Sequence, residues 1–145
     1  MFKRRKKKGQ AIVEMALVFP FFLLIVVGGI IDFGFAFYNF LTLQQIANDT
    51  AQWAAEKHKE ETAGEILDYG NALRPTWWDA ASYIVQAPTW SDLTTGGRSV
   101  SIIVTFNSPA YTPFYQTMFQ ATTGNTGINL AAQASYKIPQ YVTDH

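Results

Sequence analysis

The sequence predicts an α+β fold with a long N-terminal helix, a short second helix and a three-stranded antiparallel sheet. Apolar residues recur at helical spacing from Gln10 to about Lys59, and after Trp77-Trp78 the period switches to strict alternation. A third observation divides the helix: from Ala11 to Ile31 its 21 residues hold a single charge, Glu14. A helix needs roughly 20 apolar residues to cross the hydrocarbon core of a bilayer. The chain therefore reads as a basic leader over residues 1–9, a membrane-spanning helix over 10–31 and an exported α+β domain over 32–145.

Each element has its own signal. Six cations, Lys3, Arg4, Arg5, Lys6, Lys7 and Lys8, precede the apolar run and hold that end on the cytoplasmic side. Glu14 is the anomaly, since a carboxylate in a membrane span costs about 2.5–3.5 kcal/mol on insertion scales. Pro20 removes a backbone hydrogen bond and Gly28-Gly29 weaken the ladder, so either is a place for a kink or a melted turn. Beyond Asp32, apolar Phe33, Phe37, Phe40, Leu41, Ile46, Ala47, Ala51 and Ala54 alternate at helical spacing with Asn39, Gln44, Gln45, Asn48, Asp49 and Gln52. This half is amphipathic and expected to cover the sheet. The aromatics Phe33, Phe35, Phe37, Tyr38 and Phe40 are expected to form a belt where the helix leaves the bilayer and to pack onto the domain.

The second helix opens at a capping box, Thr62-Ala63-Gly64-Glu65, and stops at Pro75. Tyr83, Val85 and Ala87 alternate with Ser82, Ile84 and Gln86 in a first strand ended by Pro88. After the turn Thr94-Thr95-Gly96-Gly97, Val100, Ile102, Val104 and Phe106 alternate in a second strand. Pro109 to Phe119 is expected to be an aromatic, proline-bearing connection lying across the sheet. A turn at Gly124-Asn125-Thr126-Gly127 leads to a third strand carrying Ile128, Leu130, Ala132, Ala134, Tyr136 and Ile138.

Composition excludes several functions. The formal charge of zero hides an asymmetry: without residues 1–9, five cations face eleven acids, a net of −6. A basic tail beside an apolar span suits an anionic membrane surface better than nucleic acid, which is not expected as a partner. The absence of cysteine removes disulfides, thiolate metal sites and cysteine nucleophiles. His58 and His145 stand far apart, so no His-based triad or two-His metal site is expected. The acids Glu56, Glu60, Glu61, Glu65 and Asp68 lack EF-hand spacing and read as a solvated helix face. No catalytic, metal or cofactor-binding motif is present, and the chain is not expected to be an enzyme.

The run Lys6-Lys7-Lys8-Gly9-Gln10-Ala11-Ile12-Val13-Glu14 resembles the class III signal of type IV pilin-like proteins. In that family a basic leader ends in glycine, cleavage follows it, and glutamate is the fifth mature residue. Gly9 and Glu14 match those two positions, so the resemblance implies a mature chain that begins at Gln10. The wider wording, Gly9 to Val18 with Pro20 and Ile31-Asp32-Phe33-Gly34, resembles the TadE-like minor pilins or pseudopilins of the tight adherence (Tad/Flp) pilus machinery. The resemblance covers Lys6 to about Ala55 and is only architectural afterwards. It implies a prepilin peptidase, an inner-membrane assembly platform and other pilin subunits as partners, with the bilayer holding the chain before assembly. It also gives Glu14 a role in assembly, pairing with a neighbouring subunit's terminal amine.

Two other readings stay open on sequence alone. One is a single-span membrane-anchored envelope binding protein, which keeps its anchor and tolerates loss of Glu14. The other is ordinary secretion with cleavage after Gly34-Phe35-Ala36, a site that satisfies the small-x-small rule.

Overall fold

Helix α1 runs unbroken from Arg5 to Lys57, 53 residues with Pro20 inside it. The structure, a computed structural model, describes residues 5–57, 63–93 and 97–138. The expected cap at Thr62, the turn residues Thr94-Thr95-Gly96, the leader residues Lys3 and Arg4, and His58, Lys59, Glu60, Glu61 and His145 lie outside them.

After α1 come helix α2 (Ala63–Ala72), strands β1 (Tyr83–Val85), β2 (Thr89–Asp92) and β3 (Arg98–Pro109), helix α3 (Pro113–Thr123) and strand β4 (Gly127–Ile138). The architecture is α+β, as the change of period predicts.

Strand β3 is the centre of an antiparallel sheet. β4 pairs with it along its whole length, from Arg98↔Ile138 to Pro109↔Gly127. On its other edge two strands lie end to end: β2 pairs with Arg98–Ser101 and β1 with Val104–Phe106. Among the described residues the sheet thus has four strands where three were expected. Pro88 explains the difference, because a residue without an N–H cannot continue a ladder and splits one edge strand into two. Gln86 still donates its N–H to the Ile103 carbonyl at 2.9 Å, and pairing resumes at Thr89.

The alternation of β3 places Val100, Ile102, Val104 and Phe106 in the core, with Ala132, Ala134 and Ile138 of β4 beside them. The second half of α1 covers this face. Its buried residues are Asp32, Ala36, Asn39, Leu43, Ile46, Ala47, Thr50, Ala51, Ala54 and Ala55. Steps of three and four join them into one seam. That seam differs from the expected one: Phe37 and Leu41 are exposed, while polar Asp32, Asn39 and Thr50 are inside.

The inner polar groups have partners that explain their burial. Asn39 accepts from Trp78 Nε1 at 3.1 Å and donates from Nδ2 to Ser108 Oγ at 2.9 Å, so it ties α1 to the sheet's end and to the loop before β1. Trp78 stacks on Phe106 with ring centroids 4.0 Å apart. Tyr83 donates to the Gly70 carbonyl at 2.7 Å, and burial pushes its phenol up to about 12. Thr50 Oγ1 is the exception, buried without a hydrogen-bond partner.

The largest departure concerns residues 109–123. The connection expected to lie across the sheet instead holds helix α3, which packs against α1. Pro113 opens the helix, where a missing N–H costs nothing, and Gly124 closes it at φ 76° in the left-handed region.

Candidate functional site

With no catalytic constellation predicted, the functional surface to examine is α1 itself and its junction with the domain. From Gly9 to Val27 every residue is exposed, including Ile12, Val13, Met15, Leu17, Phe21 and Leu24. The most apolar 18-residue window of the helix has a mean hydropathy of 2.5 and is only 6 % buried. A core helix of that composition would be covered by its own protein. This one is long and apolar enough to cross a membrane.

Glu14 is the single charge on that surface from Gly9 to Ile31. Its carboxylate accepts a 3.0 Å hydrogen bond from Gln10 Nε2, one helical turn before it. The amide offers a local donor but no compensating charge. A Cβ added at Gly9 would meet nothing within 4 Å, so the fold makes no demand for glycine there. Arg5, Lys6, Lys7 and Lys8 belong to the first turn of α1, and Gly9 and Gln10 follow within the same helix. Pro20 sits in continuous helix.

The junction begins at Gly28 and Gly29, where burial first appears after Gly9. A Cβ on Gly28 would stand 3.3 Å from Thr112 Oγ1, and one on Gly29 would stand 2.6 Å from the Tyr115 hydroxyl. Helix continuity through the pair gives these glycines a packing role as close-approach points for α3. Tyr115 uses the gap to donate to the Ile25 carbonyl at 3.1 Å. Phe33 meets Tyr115 and Phe119 edge-on, at 5.6 and 6.3 Å between centroids, and Phe35 packs on Tyr111.

One turn above the glycines, Asp32 is 2 % exposed. It accepts from the Tyr111 N–H at 2.7 Å, from the Thr112 N–H at 3.2 Å and from the Thr112 hydroxyl. The carboxylate thereby satisfies backbone donors at the entry to α3, where helix starts leave N–H groups without intrahelical partners. The sequence reading used Asp32 as the end of the uncharged run and as part of the family wording, without a structural role. The signal that would have found it is the three-and-four spacing through Ala36, Asn39 and Leu43.

The exposed helix and the junction together make an element that presents apolar surface over one half and is locked to a small domain over the other. The comparison with known families meets this same element. Residues 9–52 match the family model for TadE, described as TadE-like protein. The TadE-like match thus covers the exposed half of α1, the two glycines, Asp32 and most of the seam, and it ends before α2. No curated protein and no solved structure matches the chain. Among the described residues, no three His, Cys, Asp or Glu side chains gather where they could hold a metal ion. What the exposed half of α1 offers chemically is apolar surface with one carboxylate on it.

Proposed function

We propose that the chain is a minor pilin or pseudopilin of a Tad/Flp pilus, a structural subunit without catalysis. The observation that carries the reading is the TadE-like match over residues 9–52, which falls on a helix whose apolar half is bare and holds one carboxylate. In this reading the basic leader, Lys3 to Lys8, keeps the N-terminus in the cytoplasm, residues 10–31 span the inner membrane, and the domain from Asp32 onward stands outside the cytoplasm. A prepilin peptidase cuts between Gly9 and Gln10. Because both residues lie in α1, the peptidase must first unwind the helix start, and glycine there is the residue that costs a helix about 1 kcal/mol relative to alanine. The open space around Gly9 supports a demand set by the peptidase and not by the fold.

Cleavage removes six cations and leaves an amine on Gln10. Glu14 of one subunit then pairs with the terminal amine of its neighbour, and the pair sets the axial register of a bundle of such helices. The Gln10 amide holds the carboxylate in the unassembled chain. Pro20 lets the exposed helix bend or melt locally as it leaves the bilayer for the filament. Flexibility at Gly28-Gly29 is confined to the state in which α3 has let go, because the docked state fills the space above both.

N-terminal sequencing of the protein from cells with the peptidase should give Gln10 as the first residue. Recovery of intact Met1 would sink the proposal and favour a permanently anchored envelope protein. Glu14→Ala should still be processed but should fail to enter pili, and normal incorporation would remove the pairing role.

A further inference from the structure

We infer that α3 is an interfacial membrane element, with its outward face in the bilayer leaflet on the domain's side of the helix. The inference rests on the reading of α1 as a bilayer-spanning helix, and depth, composition and hydrogen bonding carry it from there.

Depth comes first. Tyr115 is bonded to Ile25, and Thr112 lies against Gly28, so α3 stands beside the last turns of the apolar run and not beyond them. If lipid stopped below Ile25, the part of the run from Gln10 to Leu24 would measure only about 22 Å at 1.5 Å per residue. The hydrocarbon core needs about 30 Å. The span reaches that length only if lipid rises to the level at which α3 is docked.

Composition agrees. No charged residue occurs between Arg98 and Lys137, a stretch that contains the whole of α3. Of its exposed residues, Phe114, Thr117, Met118, Ala121 and Thr122 fall on one helical face at steps of three and four, while Pro113, Gln120 and Thr123 lie at or beyond its margin. A helix of a soluble domain carries charges on its outer face; this one carries phenylalanine and methionine. Ile25 and Ile30 of α1 are exposed as well, and Tyr115 of α3 reaches the Ile25 carbonyl.

The two threonines on that face bond within the protein, as do Thr123 and Gln116 outside it. Thr117, Thr122 and Thr123 donate their hydroxyls to the carbonyls of Pro113, Met118 and Phe119 at 2.7, 2.9 and 2.8 Å. Gln116 donates to the Ala110 carbonyl at 2.8 Å. Where water is scarce, side-chain donors must find partners within the protein, and back-bonding to the preceding turn is how threonine does so.

The absence of cysteine makes the test clean. Single variants Phe114→Cys, Met118→Cys, Phe19→Cys and Gln52→Cys of the full chain are labelled with an environment-sensitive fluorophore. They are placed in phosphatidylethanolamine–phosphatidylglycerol vesicles that carry a quencher near the headgroup or near the chain end. The Phe19→Cys label reports the span, and the Gln52→Cys label reports water, since Gln52 is exposed 20 residues beyond Asp32 on the same helix. The expected result is quenching at Phe114 and Met118 by the headgroup-level quencher, about threefold stronger than at Gln52. Quenching at Phe19 alone overturns the interfacial assignment of α3 and leaves the span intact. Water-like behaviour at Phe114 and Met118 together with cross-linking of Met118→Cys chains to one another assigns the face to a neighbouring subunit and also overturns it. A label at Phe19 that no lipid quencher reaches overturns the reading of α1 itself.

Discussion

Asp32 and Thr112, 80 residues apart in the chain, are joined through both the N–H and the hydroxyl of the threonine. The contact fixes where the last helix of the domain starts and how it meets the apolar half of α1. A buried carboxylate is tolerated here because three donors, counting the Tyr111 N–H, surround it.

Asp32→Ala leaves two backbone N–H groups without their acceptor. Hydrogen bonds to a charged group are worth about 1.5–3 kcal/mol each, so a loss of about 3 kcal/mol is expected, with Asp32→Asn losing about half as much. Urea unfolding of the detergent-solubilised chain, followed by tryptophan fluorescence, measures it. A loss under about 0.5 kcal/mol would remove the clamp from the account of stability.

Gly29→Ala sets a methyl group 2.6 Å from the Tyr115 hydroxyl. The ring must turn away, and the bond to the Ile25 carbonyl is lost with it. Because that hydroxyl is what the methyl meets, Tyr115→Phe should relieve part of the damage. A double-mutant cycle is expected to show a coupling of about 1 kcal/mol. Gly34→Ala is the matched control: its Cβ meets nothing, so better helix propensity should raise stability by about 0.5–1 kcal/mol.

Thr50→Val keeps the side-chain shape and deletes a hydroxyl that has no partner. Stability should rise by about 1 kcal/mol. A fall of that size would mean that Thr50 Oγ1 finds an acceptor in solution.

Tyr83 makes the domain sensitive to alkali. Its folded-state value is raised to about 12 by burial, against about 10 for an exposed phenol. The stability it confers is complete below pH 10 and is lost as pH climbs from 10 towards 12. Tyr83→Phe cannot ionise, so it should flatten the fall in stability over that window, at the expense of the bond to the Gly70 carbonyl at every pH. A fall equally steep in both proteins would place the alkaline sensitivity elsewhere.

The elements readable in the sequence are those in which one period dominates. The apolar run before Asp32 and the alternation of β3 and β4 survive in the structure because burial on one face, or on none, writes itself directly into residue type. The buried seam of α1 was harder, since Asp32, Asn39 and Thr50 interrupt it with polar residues whose partners lie 39 to 80 residues away or are absent. Strand β2 was hidden by Pro88. Helix α3 did carry a start signal in Pro113 and a stop in Gly124, but an uncharged aromatic segment does not show the polar face by which an amphipathic helix is recognised. Its partner is the apolar half of α1, which the membrane reading had already given to lipid.

The order of the strands has a further consequence for the making of the molecule. The apolar seam of α1 is finished at Lys57, yet much of its cover is β4, the last element, which closes the sheet only at Ile138. At roughly 5–20 residues per second, ribosomes need about 4–16 seconds to bridge that interval. Until β4 arrives Leu43, Ile46 and the alanines beside them are a sticky stripe with an incomplete lid, on a chain that lacks disulfides to trap a partial fold. The protein therefore has a built-in waiting period in which a chaperone, or the membrane itself, must stand in for its own C-terminal strand.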